Sequence, residues 1–124
     1  MEQRIKTILI IDDEEELLEL TRTFLKRHGY SVITSRGEGD ILAMVKRLSP
    51  ALIILDQLLL TQDGLDICHD LKTDPVTASI PVLMTSGQVA IEEQLPEELH
   101  SPDGFLIKPF DIDDLLTKIQ SLLE

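Results

Sequence analysis

Two short runs constrain this chain more than anything else in it: Ile8-Leu9-Ile10-Ile11 and Ala51-Leu52-Ile53-Ile54-Leu55, both apolar throughout and both halted by aspartate. A strand with no polar face has to be covered on both sides, which is the situation of a parallel sheet held between two layers of helix. The intervening sequence agrees. Leu17, Leu18, Thr21, Phe24 and Leu25 recur at helical spacing, acids fill the first turn, Lys26, Arg27 and His28 the last, and Gly29 supplies the stop. The whole chain repeats this alternation without a linker. Strands are expected over Lys6–Ile11, Tyr30–Thr34, Ala51–Leu55, Val82–Ser86 and Phe105–Ile107, and helices over Glu14–His28, Glu38–Leu48, Leu65–Lys72, Ala90–Leu99 and Ile112–Leu123. The fold class is therefore α/β, a single open sheet of five parallel strands with helices on both faces.

The 124 residues amount to one domain, long enough to bury a core without disulfides. No apolar run exceeds the five residues of Ala51 to Leu55, which excludes a transmembrane helix, and the N-terminal residues lack the apolar stretch of a secretion signal. A cytoplasmic address is expected, and the single cysteine, Cys68, fits a reduced compartment. Charge narrows the partners: 11 basic against 23 acidic residues leave a net charge of −12, so a phosphate backbone would be repelled and no direct nucleic-acid binding is expected. With one Tyr, three Phe and no Trp, the chain is also poorly supplied for base-stacking platforms.

In an open α/β sheet the functional crevice lies beyond the carboxyl ends of the strands. Here those ends carry Asp12 and Asp13 after the first strand, Asp56 after the third, Ser86 and Gly87 after the fourth, and Lys108 after the fifth. Three clustered carboxylates repel one another, by roughly 4 kcal/mol for two unit charges about 4 Å apart at an effective dielectric of ~20. Such a nest attracts a cation, and oxygen ligands alone favour Mg²⁺ or a similarly hard ion. With Lys108 opposite, an incoming phosphoryl group would be neutralised from two sides while a carboxylate such as Asp56 served as nucleophile.

These residues resemble the receiver domain of two-component response regulators. The likeness runs from about Thr7 to Leu123, so that residues 1–124 read as one receiver domain. It rests on Ile10-Ile11-Asp12-Asp13, on Leu55-Asp56 with Asp63-Gly64 beyond it, on Pro81 to Gly87, and on Lys108-Pro109-Phe110. The resemblance implies the flavodoxin-like strand order 2-1-3-4-5 and a role for each position. Asp56 would accept a phosphoryl group from the phosphohistidine of a sensor histidine kinase or a phosphotransfer protein. Asp13 would ligate Mg²⁺ directly, Asp12 partly through water, and the backbone carbonyl of Leu58 would add a ligand. Lys108 would pair with the phosphate, Ser86 would swing in to hydrogen-bond it, and Phe105, the switch aromatic, would follow and remodel the surface of the fourth helix, fifth strand and fifth helix for a downstream effector. A cis Lys108-Pro109 bond is implied as well. Whether phosphate also drives a dimer through the last helix is left open, as is whether the receiver stands alone or is cut from a longer protein.

The chain departs from the family at Leu60, where many members have proline, and at Gln62, where many have an apolar residue, so the loop after Asp56 is expected to differ in shape. Leu58 and Gln88, each two residues beyond a site residue, occupy positions that in the family influence hydrolysis of the aspartyl phosphate; an apolar Leu58 cannot orient a water, which implies slow loss of phosphate. Taken singly, Asp12-Asp13 would read as a helix cap, Asp56 as a turn aspartate and Lys108 as a solvated lysine; it is their conjunction at strand ends that points to a site. His28, His69 and His100 lack ligand spacing and Cys68 reads as a core residue. Two other classes fit less well. An aspartate-nucleophile phosphatase of haloacid-dehalogenase type needs Asp-x-Asp where this chain has Asp12-Asp13-Glu14, and a flavodoxin-like electron carrier needs a Ser/Thr-rich phosphate loop. A receiver-like module that binds partners regardless of phosphate keeps the fold and drops the switching.

Overall fold

A computed structural model describes residues 4–87 and 102–124. Five strands, β1 (Thr7–Ile11), β2 (Ser31–Ser35), β3 (Leu52–Asp56), β4 (Val82–Ser86) and β5 (Gly104–Ile107), form one parallel sheet in the order β2-β1-β3-β4-β5. Among the described residues the helices are α1 (Glu15–Arg27), α2 (Ile41–Leu48), α3 (Gly64–Thr73) and a C-terminal helix (Ile112–Leu123). The helix expected over Ala90–Leu99 lies outside the described residues.

The all-apolar runs occupy the middle of the sheet, as their lack of a polar face demands: every residue of β3 is buried, and so is β1 beyond Thr7. Alternation along the strands divides the core in two. Leu9, Ile11, Ile53, Leu55, Val82 and Met84 pack against Ile41 and Val45 of α2 and Ile67, Cys68 and Leu71 of α3. On the other face, Ile8, Ile10, Leu52, Ile54 and Leu83 meet Leu18 and Leu25 of α1 and Leu115 and Ile119 of the C-terminal helix. Each fully buried Leu or Ile contributes roughly 1.5–3 kcal/mol relative to exposure, so the two layers pin all five strands in one register.

One helix boundary among the described residues differs from expectation by more than one residue. The helix expected from Glu38 begins instead at Ile41, the first residue of its apolar face, because Gly39 takes a left-handed φ of +82° and the Asp40 side chain accepts a hydrogen bond from the Ala43 N–H at 3.0 Å. Capping chemistry and hydrophobic period agree on that end. No helix among the described residues is long and apolar enough to cross a membrane.

Candidate functional site

The central strands deliver their terminal aspartates to one edge of the sheet. Ile11 and Leu55 are partners in the β1–β3 ladder, so Asp12 and Asp56, each one residue further on, emerge side by side, 4% and 6% exposed. The Asp12 N–H donates to Ser35 O at 3.0 Å and its carboxylate accepts the Glu14 N–H at 2.9 Å, which fixes its orientation before α1 begins. Asp13 is half-buried beside it, and one carboxylate oxygen from each of Asp12, Asp13 and Asp56 lies within 4.8 Å of the others.

Lys108 crosses this cluster from the end of β5. Its N–H donates to Ser86 O at 2.7 Å, and its Nζ lies 2.8 Å from Asp12 Oδ2, 3.3 Å from Asp56 Oδ2 and 3.5 Å from Glu14 Oε1. The following Lys108–Pro109 bond is cis, as the resemblance implies. Burial, and then the charge of Asp12, push the Asp56 carboxyl above its ordinary value, against the pull of Lys108 and of the Leu58 N–H. Burial works to lower the Lys108 ammonium, yet its hydrogen bond to Asp12 and the charges of Asp12 and Asp56 leave it raised and firmly protonated. One ammonium thus serves three carboxylates, those of Asp12, Glu14 and Asp56, with a fourth, Asp13, in the same cluster. The donor set, all hard oxygen with negative charge in excess, fits a divalent cation of the Mg²⁺ kind.

The remaining expected positions are distributed around this core. Ser86 ends β4, buried, with its hydroxyl donating to Gln57 Oε1 at 2.7 Å. Phe105 pairs in register with Met84 and packs, half-buried, on the cluster shared with α2 and α3. Leu58 donates its N–H to Asp56 Oδ1 at 3.3 Å, pairs with Asp63 in an isolated bridge, and leaves its side chain 57% exposed. Gln88 lies outside the described residues. A depression of about 310 Å³ lined by Glu14, Leu17, Lys108, Pro109 and Phe110 adjoins the acidic cluster through Lys108 and Glu14.

Three local features were not read from the sequence. Glu14, one of the acids that open the first helix, reaches Lys108. Gln57 is a buried amide directly after β3, on the face that Ile53 and Leu55 share, where alternation would put another apolar residue, and that mismatch was the available signal. Gln62 defines the altered loop: its Nε2 donates to Gly37 O at 2.8 Å and Gly39 O at 2.9 Å, while Thr61 Oγ1 donates to Gly37 O at 3.2 Å. The loop after Asp56 is thus clamped to the glycine loop after β2, through partners some 25 residues away in the chain.

Residues 8–120 match the family model described as "Response regulator receiver domain". The chain is similar to the DNA-binding dual master transcriptional regulator RpaA of Synechocystis sp., at 35% identity over 116 residues, which are 94% of this chain and 48% of that protein. It spans about half the length of the curated relatives it matches. Among solved structures, a putative response regulator from Chloroflexus aurantiacus superposes with a TM-score of 0.86 at 27% identity, covering 97% of this chain and 98% of the other. The chemotaxis response regulator CheY4 of Vibrio cholerae, at 22% identity, has the same fold: its TM-score is 0.87, with 97% of this chain and 100% of the other covered.

Proposed function

The chain belongs to the response regulator receiver domain family, and from that premise we propose that it is a phosphate-operated switch in which Asp56 is the acceptor. The observation that carries the reading is Lys108 Nζ bridging Asp12 and Asp56 at 2.8 and 3.3 Å beside a third carboxylate, at the carboxyl ends of β1, β3 and β5. A buried carboxylate held at a strand end by a lysine and a backbone N–H is oriented for attack and kept from wandering.

In the proposed reaction an Asp56 carboxylate oxygen attacks phosphorus of a phosphohistidine on a sensor histidine kinase or phosphotransfer protein. A phosphorus–oxygen bond forms, the phosphorus–nitrogen bond breaks, and the imidazole leaves with the electron pair and takes a proton. Asp12, Asp13, Asp56 and the backbone carbonyl of Leu58 would hold Mg²⁺, which when bound neutralises charge on the phosphoryl oxygens. Lys108 exchanges its bond to the Asp56 carboxylate for one to the new phosphate. Ser86 donates its hydroxyl to a phosphate oxygen, and Phe105 moves inward, changing the surface offered to a downstream effector. Chemistry is limited to gaining and losing one phosphoryl group, as befits a signalling domain, not a turnover enzyme, and a cytoplasmic setting goes with this reading.

The test is intact mass after incubation with acetyl phosphate, with Mg²⁺ or with EDTA, on the wild type and on Asp56→Ala. A single phosphoryl adduct that needs both Mg²⁺ and Asp56 is expected. No adduct under rapid sampling would favour a receiver-like module that binds its partner independently of phosphate.

A further inference from the structure

Gln57 and Ser86 form a side-chain pair sealed from water: they are 6% and 2% exposed, and the Ser86 hydroxyl donates to Gln57 Oε1 at 2.7 Å. Strand alternation says which way this pair faces. Asp56 follows Leu52 and Ile54, which pack toward α1 and the C-terminal helix, whereas Ser86 follows Val82 and Met84, which pack toward α2 and α3. In the ladder Asp56 is the partner of Thr85, so Ser86 stands one position on and on the opposite face. Gln57, the residue after Asp56, shares that opposite face. The bond to Gln57 therefore holds the serine hydroxyl away from the acceptor carboxylate.

Gln57 is not free to follow if the hydroxyl turns. Its N–H donates to Thr85 O at 2.9 Å and its C=O accepts the Gly64 N–H at 2.8 Å, so its backbone is fastened to β4 on one side and to the start of α3 on the other. Turning Ser86 toward an oxyanion on Asp56 requires breaking the bond to Gln57, and a buried polar atom that loses a bond resists the change. We propose that Gln57 is a positioning residue that latches Ser86 in the off orientation and thereby sets how readily the switch closes on a phosphoryl group. This rests on the reading of Asp56 as acceptor and Ser86 as the group that turns toward it.

The test uses beryllofluoride, a phosphoryl mimic, titrated by calorimetry into the full chain with Mg²⁺. Gln57→Met keeps the side-chain length and removes the acceptor; it is expected to tighten beryllofluoride binding roughly tenfold, the scale of one buried hydrogen bond. In a Ser86→Ala background, where no hydroxyl remains to be latched, the same substitution is expected to change affinity less than about twofold. A folded Gln57→Met with unchanged or weaker binding overturns the proposal, as does equal tightening in the Ser86→Ala background. Gln57→Leu serves in the same cycle should Gln57→Met not fold. Absence of beryllofluoride binding by the wild type would instead overturn the acceptor reading itself, and the latch with it.

Discussion

Gly64→Ala probes how closely the first turn of α3 presses on the end of β3. The φ of Gly64 lies outside the left-handed region, so its backbone would tolerate a side chain, but space would not. A methyl group there would collide with the Asp56 carbonyl oxygen, and it would stand 2.8 Å from Gln57 Cα and 3.0 Å from the Asp56 carbonyl carbon. All three are main-chain atoms at the end of β3, a strand buried throughout, and the Gly64 N–H is itself bonded to Gln57 O at 2.8 Å. No flexible side chain can move aside. Overpacking of this kind costs about 1–3 kcal/mol, with rigid neighbours placing it at the upper end, and the reduced entropy of the unfolded alanine chain returns about 0.4–1 kcal/mol. The net loss is about 2 kcal/mol, or roughly 8 °C in Tm at about 4 °C per kcal/mol for a domain of this size. Thermal unfolding followed by circular dichroism measures it, with Gly87→Ala as the control, since among the described residues nothing lies within 4 Å of a methyl group there. A Gly64→Ala protein melting within about 2 °C of wild type would refute the reasoning.

Asp56→Asn is expected to stabilise the domain at pH 7 in EDTA. Because burial and the charge of Asp12 raise the Asp56 carboxyl in the fold, the native state binds more protons than the unfolded chain between the two pKa values. The carboxyl's destabilising effect is therefore absent below the unfolded value and complete above the folded one, so the variant's advantage should shrink as pH is lowered toward about 4; urea denaturation across that range reads it, and an advantage that grows on acidification contradicts it. Lys108→Met removes the ammonium bonded to Asp12 and Asp56 and should tighten Mg²⁺ binding by about tenfold in calorimetry, while raising the Asp56 carboxyl further. Leu58→Asn puts a water-orienting amide at an exposed position beside Asp56, and the decay of the phosphoprotein should accelerate; an unchanged or slower decay would dismiss a role for Leu58 in phosphate lifetime.

The sheet and the acidic cluster were legible because each depends on local pattern. Runs apolar on both faces identify β1 and β3 as internal strands, and the aspartates that stop them have nowhere to go but the carboxyl edge. Lys108 joined them through the same rule applied to β5. The illegible parts depend on which distant residues meet. Nothing near Gln62 in sequence reveals that its amide will find the carbonyls of Gly37 and Gly39, and nothing near Ser86 names Gln57 as its acceptor. The start of α2 differs for a local reason: between Glu38 and Ile41 a left-handed glycine and an aspartate cap end the loop, and the helix begins with its first apolar residue.

On the proposed reading Asp56, and no other carboxylate of the cluster, carries the phosphoryl group. Borohydride reduction after phosphorylation by acetyl phosphate converts an acyl phosphate to the corresponding alcohol, and peptide mass mapping then locates the altered residue. The account predicts reduction at Asp56 alone, in Mg²⁺ and not in EDTA. Reduction at Asp12 or Asp13, or an Mg²⁺-independent product, would contradict it.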